Sequence, residues 1–264
     1  MAEPVIAFFD VDGTLTFRDP VTGPTDVPSS RVADAVRRFV AAGNIAVVST
    51  GRSILGISTL MGSLPFAGAV TLDGTHVLLG EKVVYDRSIA PELWDATLVE
   101  MRRIGMEALV EGTYGCLVIS DNPSSEFCRV MADLESYEDY VARGGRMEFN
   151  KIDFTDSSLD AVLGSEFLVA NYHYMNVGGG YHELAIPGTS KAVGASAFIG
   201  ALPVRPSRVF AFGDSENDLA LLDAADVAVV MGNARDNVKE HADYVTDTAA
   251  NDGVATALEH FGLI

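Results

Sequence analysis

The chain has 264 residues, with 18 Lys plus Arg against 37 Asp plus Glu, a net charge of −19 at pH 7 and 48% hydrophobic residues. That length buries a substantial core, as one large domain or two. The acidic balance argues against the broad basic surface that nucleic-acid binding needs; it reads as a solubilising surface on which a phosphorylated ligand would require local positive charge.

Two cysteines, Cys116 and Cys128, lack the number and spacing of a disulfide framework or a structural zinc site. Both read as packing residues, and a reducing cytoplasm is the simplest compartment. The opening "MAEPVIAFFDVDG" has no basic segment, long apolar run or small-residue cleavage site, so no secretory signal is expected. No apolar run approaches the length that crosses a bilayer, so a soluble protein with no membrane partner is expected. Oligomeric state is not written in any of these patterns.

In chain order, the first strand is "VIAFFD", ending at Asp10 and followed by Asp12 and Gly13. In an extended segment residues two apart share a side, so Asp10 and Asp12 can face one crevice while Val11 points away. Two carboxylates held together raise one another's pKa unless a cation sits between them, and oxygen-rich surroundings favour magnesium. The competing reading is an Asx-type turn, a common role for Asp beside Gly. "RDPVTGPTDVPSS" is an irregular loop.

"SSRVADAVRRFVAAG" predicts a helix with Val32, Val36, Phe39 and Val40 on one face, Ser29 or Ser30 as N-cap and Gly43 as stop. "NIAVVST" is a second strand, ending at Thr50 before Gly51 and Arg52. A hydroxyl, an unhindered amide and a cation suit phosphate oxygens, although a Ser/Thr-Gly step is also a frequent strand-to-helix turn. "SILGISTLMG" reads as helix.

From Val83 to Ala185 the texture changes to strands "MEALVEG" and "YGCLVIS", a long polar helix near "SSEFCRVMADLESYEDYVARGG", and a hairpin of "EFLVANYHYMNV" with "YHELAI" across "GGG". Paired strands with long helices suggest an α+β insertion. Asn171, His173, Tyr174, Asn176 and His182 suit hydroxyl-rich ligands such as sugars, but such residues also fill ordinary strands. The "GGG" reads as a turn, since it lacks the lysine and helix start of a Walker motif.

After the insertion, "GTSKAVGASAFIG" places Lys191 in the first turn of a helix capped by Thr189 or Ser190, where its charge opposes the macrodipole and calls for a compensating anion. "SRVFAFGD" ends at Asp214 and opens a helix bearing Asn217 and Asp218, also readable as an ordinary acidic helix start. "VAVVM", "ARDNVKEHA", "DYVT" and "GVATALEHF" continue the alternation. Apolar strands separated by helices indicate a parallel sheet covered on both faces, whose carboxyl-end crevice would gather Asp10, Thr50 and Asp214.

In order, "DVDGT", "STG", Lys191 and "GDSEND" resemble the four motifs of the haloacid dehalogenase-like (HAD) superfamily of phosphohydrolases. "GDSENDLALLDAA", "VVMGNARDNVKEHADYVT" and "NDGVATAL" resemble its Cof-type branch, which carries an α/β (C2-type) cap. The resemblance implies an α/β fold: a Rossmann-like parallel-sheet core of residues 1–82 and 187–264, with residues 83–186 as an inserted cap that excludes water and selects substrate. It implies a magnesium-dependent phosphatase acting on a small phosphorylated metabolite, first of all a sugar phosphate. Asp10 would be the nucleophile and Asp12 the proton donor and later base, with Thr50 and Lys191 completing the catalytic set. Thr50, Gly51, Arg52, Lys191 and Asn217 would hold the phosphoryl group. Asp10, the Asp12 carbonyl and Asp214 would hold magnesium, with Asp218 ordering the metal shell or Lys191. One departure is Asp73 in "TLDGT", where the branch usually has Asn before Gly; either suits a tight turn, and any substrate contact by that Asn is not carried over.

A phosphosugar mutase on the same fold is the alternative, followed by a non-catalytic phosphate-ligand-binding protein. A signalling receiver also uses a strand-end Asp, a Thr and a Lys, but is about half this length and needs neither "GDSEND" nor an insertion.

Overall fold

The computed structural model describes residues 3–19, 21, 23–122, 134–142, 144 and 147–264. Strand β1 (Val5–Phe9) is apolar on both sides: Ala7 and Phe9 enter one core, Ile6 and Phe8 another. The loop after it contains a small antiparallel ladder, β2 (Arg18–Asp19) with β3 (Gly23–Pro24). Helix α1 (Ser30–Ala41) starts where Ser29 Oγ accepts from the Val32 N–H at 3.2 Å, and it buries Val32, Ala35, Val36 and Phe39. Next come β4 (Ile45–Ser49), a 3₁₀ turn at Leu55–Ile57, α2 (Ser58–Ser63), β5 (Gly68–Thr71), β6 (His76–Leu79) and β7 (Lys82–Asp86). The chain forms two compact units, Met1–Asp86 with Ser190–Ile264, and Arg87–Thr189. The first extends past residue 82 because β7 pairs with β6 and closes that sheet's edge.

The Arg87–Thr189 unit contains α3 (Pro91–Ile104), β8 (Ala108–Gly112), β9 (Gly115–Ile119), β10 (Leu134–Glu135), α4 (Tyr137–Ala142), β11 (Lys151–Thr155), α5 (Asp156–Leu163), α6 (Glu166–Asn171), β12 (His173–Gly178) and β13 (Tyr181–Ala185). Its sheet runs β10-β9-β8-β11-β13-β12, antiparallel except between β9 and β10. Val110, Ile152, Phe154 and Leu184 pack with Trp94, Leu98 and Met101 of α3 and with Val162 and Leu168.

Three expectations change here. The long helix near residues 124–145 lies partly outside the described residues, and what is described of it is a strand, β10, and the short α4. The first hairpin arm begins at His173, because Ser165 Oγ accepts from the Leu168 N–H at 3.2 Å and caps Glu166–Asn171 as helix. Short apolar runs such as "EFLVA" do not separate strand from helix by periodicity. Cys116 is exposed, on a strand position paired with Glu111 and away from the apolar face, while Cys128 lies outside the described residues.

The chain resumes with α7 (Lys191–Ala201), β14 (Arg208–Gly213), a 3₁₀ turn at Glu216–Asp218, α8 (Leu219–Ala224), β15 (Val227–Val230), α9 (Asp236–Lys239), β16 (Tyr244–Val245) and α10 (Gly253–His260). The eight-stranded sheet has the order β16-β15-β14-β1-β4-β5-β6-β7, parallel from β16 through β5 and antiparallel beyond. Residues of α1 and α10 pack on one face, Ala195 and Phe198 of α7 with Leu221 and Leu222 of α8 on the other. Strand order reverses at β1, and Phe9 stands in register with Phe212 of β14 and Val48 of β4. Such a switch point opens a crevice at the carboxyl ends, where Asp10, Thr50 and Asp214 follow directly. Among the described residues no helix is long and apolar enough to cross a membrane.

Candidate active site

Asp10 follows the last residue of β1, and its N–H donates to Phe212 O at 3.0 Å, which continues the ladder one step and fixes the side chain at the sheet edge. Lys191 opens α7, whose cap is Ser190 Oγ accepting from the Val193 N–H at 3.3 Å. The lysine is fully buried, and its ammonium donates to Asp10 Oδ1 at 2.8 Å and Asp218 Oδ1 at 2.7 Å. These two carboxylates are the anions that its place at a helix start calls for. Burial opposes the charge on Lys191, but Asp10, Asp218 and Asp73 outweigh it and hold the ammonium above its ordinary pKa. Burial likewise pushes the Asp10 carboxyl up, with Lys191 opposing and Asp218 and Asp214 adding to the rise.

Asp218 is committed at both oxygens, since Oδ2 accepts the backbone N–H groups of Asp214 at 3.0 Å and Ser215 at 3.1 Å. Asp214 receives Thr14 Oγ1 at 3.5 Å and Asn233 Nδ2 at 3.1 Å. Gly13, at φ +86°, makes room for it: a Cβ there would stand 2.3 Å from Asp214 Oδ2. Burial, then the charge of Asp218, push the Asp214 carboxyl up to about 7. Asp10, Asp214 and Asp218 offer oxygens that all lie within 4.8 Å of one another. An oxygen-only donor set carrying more negative charge than one lysine offsets fits a hard divalent cation.

Asp12 is not part of that cluster. The strand stops at Phe9, so extended alternation does not govern residue 12, which sits in a turn closed by Thr14 N–H and Thr16 N–H to Val11 O at 3.3 and 2.8 Å. Its carboxylate meets Arg52, from Nε at 2.7 Å and Nη2 at 2.5 Å. Val11 between the two acids is buried. Thr50 is held by its N–H to Val70 O at 2.8 Å, and its hydroxyl accepts from the Arg52 N–H at 3.1 Å. Asn217 Nδ2 donates to Asp73 Oδ1 at 2.9 Å, and Asn217 Oδ1 accepts from Ser215 Oγ at 2.7 Å.

Residues 7–258 match a family profile described as haloacid dehalogenase-like hydrolase. The chain belongs to that family. This HAD-like hydrolase is 27% identical over 270 residues to a Streptococcus pyogenes protein named as a bifunctional phosphatase/peptidyl-prolyl cis-trans isomerase; the match covers 98% of this chain but only 54% of that longer relative. Among solved structures it is similar to the phosphatase BT1666 of Bacteroides thetaiotaomicron, at 27% identity and TM-score 0.80, covering 99% of this chain and 96% of that one. The subclass IIB sugar phosphatase BT4131 shares the fold at 24% identity and TM-score 0.80, with 99% and 100% covered.

Two polar groups of this HAD-like hydrolase escaped the sequence reading. Asn233 Nδ2 donates to both Gly13 O at 2.9 Å and Asp214 Oδ2, while its Oδ1 accepts from the Ala249 N–H at 2.8 Å. Thr14 also reaches Asp214. Asn233 comes three residues after β15 and not directly after it, so the strand-end rule that flagged Asp10 does not reach it in "VVMGN". In the other unit, His182 is buried, with Nε2 2.8 Å from Asp156 Oδ1 and Nδ1 2.9 Å from Tyr174 Oη, and it stacks on Phe154. Asn171 donates to Phe167 O and Asn176 accepts from Gly178 N–H, both at 2.9 Å. These residues knit their own unit together.

Proposed function

We propose that this hydrolase is a magnesium-dependent phosphatase of a small phosphorylated metabolite, working through an aspartyl phosphate on Asp10. The observation that carries the reading is the Asp10 carboxylate at the end of the central strand, bonded to buried Lys191 beside Asp214. Lys191 points Asp10 and opposes the burial that pushes its carboxyl up, so that one carboxylate oxygen attacks phosphorus and the ester P–O bond breaks. Asp12 gives its proton to the departing oxygen. Water then attacks the aspartyl phosphate as Asp12 takes its proton, and orthophosphate leaves with the Asp10 carboxylate restored. For the first step Asp12 must carry a proton, so the Arg52 guanidinium exchanges that carboxylate for phosphoryl oxygens when the ester binds.

Asp10 and Asp214, with the Asp12 carbonyl, are the residues that would hold magnesium, and Asp218 holds Lys191 and the Asp214–Ser215 backbone in place. When bound, the ion supplies neutralisation of phosphoryl charge. Thr50, the Gly51 amide and Asn217 position the group, which is most of what phosphoryl transfer asks of a protein.

A sugar phosphate is the first candidate, in keeping with the name of BT4131, and the Arg87–Thr189 unit is proposed as the selector. The test is phosphate release from sugar phosphates, nucleotides and cofactor phosphates, with magnesium or EDTA, by the wild type and Asp10→Asn. Release that needs magnesium and vanishes in Asp10→Asn is expected; silence across the panel would sink the reading. Isomerised sugar phosphate with little free phosphate would favour a mutase.

A further inference from the structure

The turn at Thr71–Thr75 touches three parts of the site. The Asp73 N–H donates to Thr50 O at 3.2 Å and the Leu72 N–H to Arg52 O at 3.1 Å. Gly74 lies against the start of α7, where a Cβ would stand 1.9 Å from Ser190 O. Leu72 and Asp73 take φ values of 50° and 53°, a left-handed backbone that Asp tolerates but that Leu accepts only under tertiary constraint. The Asp73 carboxylate is buried and covers Gly51, whose absent Cβ would stand 2.8 Å from Oδ2.

What this carboxylate does follows from the bonding of Asn217. Ser215 Oγ, at 2.7 Å from one end of the carboxamide, can donate or accept and so leaves the amide free to turn over. An ionised Asp73 only accepts, so the bond at 2.9 Å dictates that nitrogen faces residue 73. Nδ2 carries two hydrogens, and this bond takes one. A neutral Asn at position 73 could pair with either end.

Building on the phosphatase reading, we propose that Asp73 is a positioning residue of the phosphoryl subsite: it fixes the orientation of the Asn217 carboxamide so that the remaining N–H donates to a phosphoryl oxygen. A negative charge beside an anion site would otherwise only weaken binding, so the sign of its removal is diagnostic.

The experiment is isothermal titration of orthophosphate, with magnesium present, into the wild type, Asp73→Asn, Asn217→Ala and the double variant. Asn tolerates the left-handed backbone at residue 73, and Asp73→Gly serves as a second unstrained variant. Asp73→Asn and Asp73→Gly are expected to weaken orthophosphate binding several-fold despite the lost negative charge, Asn217→Ala by about tenfold, and the double variant no more than Asn217→Ala alone. Tighter binding in Asp73→Asn, or effects that multiply, would overturn the proposal. Equilibrium binding keeps this apart from turnover. A wild type that binds orthophosphate but cleaves no ester sinks the phosphatase reading, with the cycle still deciding Asp73; a wild type that binds none overturns both.

Discussion

Lys191 Nζ stands 2.8 Å from Asp10 Oδ1, with the lysine fully buried and Asp10 only 5% exposed. The same ammonium serves Asp218, so its removal strands two buried carboxylates. Lys191→Met is expected to lower phosphate release by about 10³-fold and to cost about 3–5 kcal/mol of stability. Lys191→Arg keeps the charge but not the compact head, and should be more stable than the Met variant while remaining poorly active. Initial rates with p-nitrophenyl phosphate and urea unfolding check both. Wild-type stability in Lys191→Met would show that the ammonium compensates nothing.

Asp214 supplies a pH prediction. Its carboxyl sits at about 7 in the folded chain against an ordinary 3.8, because burial and then Asp218 disfavour its charge. The folded state therefore holds a proton that the unfolded state has lost, and this group's contribution falls as pH rises from about 4 to about 7. On the proposed reading magnesium would replace that proton, so its stabilising effect should grow across the same window. Melting temperatures in EDTA and in magnesium, for the wild type against Asp214→Asn, measure it. A wild-type advantage over Asp214→Asn that grows with pH in EDTA would contradict the assignment.

Asp10, Thr50 and Asp214 are legible in the sequence because each directly follows an apolar parallel strand, and the switch point at β1 brings those ends together. Lys191 is legible through its awkward place at a helix start and through its place in the ordered motifs that resemble the HAD superfamily. The separation of Asp12 from Asp10 is not legible, since it depends on the strand stopping at Phe9 and on a turn closed by Val11 O. Nor is the Asp73 to Asn217 bond, which joins residues 144 positions apart through a left-handed turn no periodicity announces. The helix at Glu166–Asn171 was masked by apolar residues that suit either structure, and only the Ser165 cap decides it.

Arg52 makes a bidentate contact with Asp12, yet the side chains are 31% and 58% exposed. Solvent and salt screen such a pair, so Arg52→Ala should change stability by less than about 1 kcal/mol. On the proposed reading its effect is expected in catalysis: about a 10²-fold loss in kcat/KM, only partly recovered by Arg52→Lys, which lacks the fork. Steady-state kinetics beside urea unfolding separates the two. A large stability loss with unchanged kcat/KM would make the pair purely structural.

Lys151 poses the opposite case, away from the strand-end motifs and inside the Arg87–Thr189 unit. Its ammonium lies 3.1 Å from Glu183 Oε2, 3.3 Å from Glu111 Oε1 and 3.5 Å from Asp153 Oδ1, three carboxylates from adjacent strands β13, β8 and β11. Burial pushes the Asp153 carboxyl well up, and Lys151 is the charge that opposes the rise. Without it Asp153 is driven further toward taking up a proton, which the unfolded chain does not need above about pH 4. Lys151→Met should therefore cost about 3–5 kcal/mol at pH 8 and clearly less at pH 5. Urea unfolding of the full chain at the two pH values gives the comparison, and Asp153→Asn in the same background should recover part of the loss at pH 8. A deficit equal at both pH values would mean that the lysine contributes by filling space, and that its charge balances nothing.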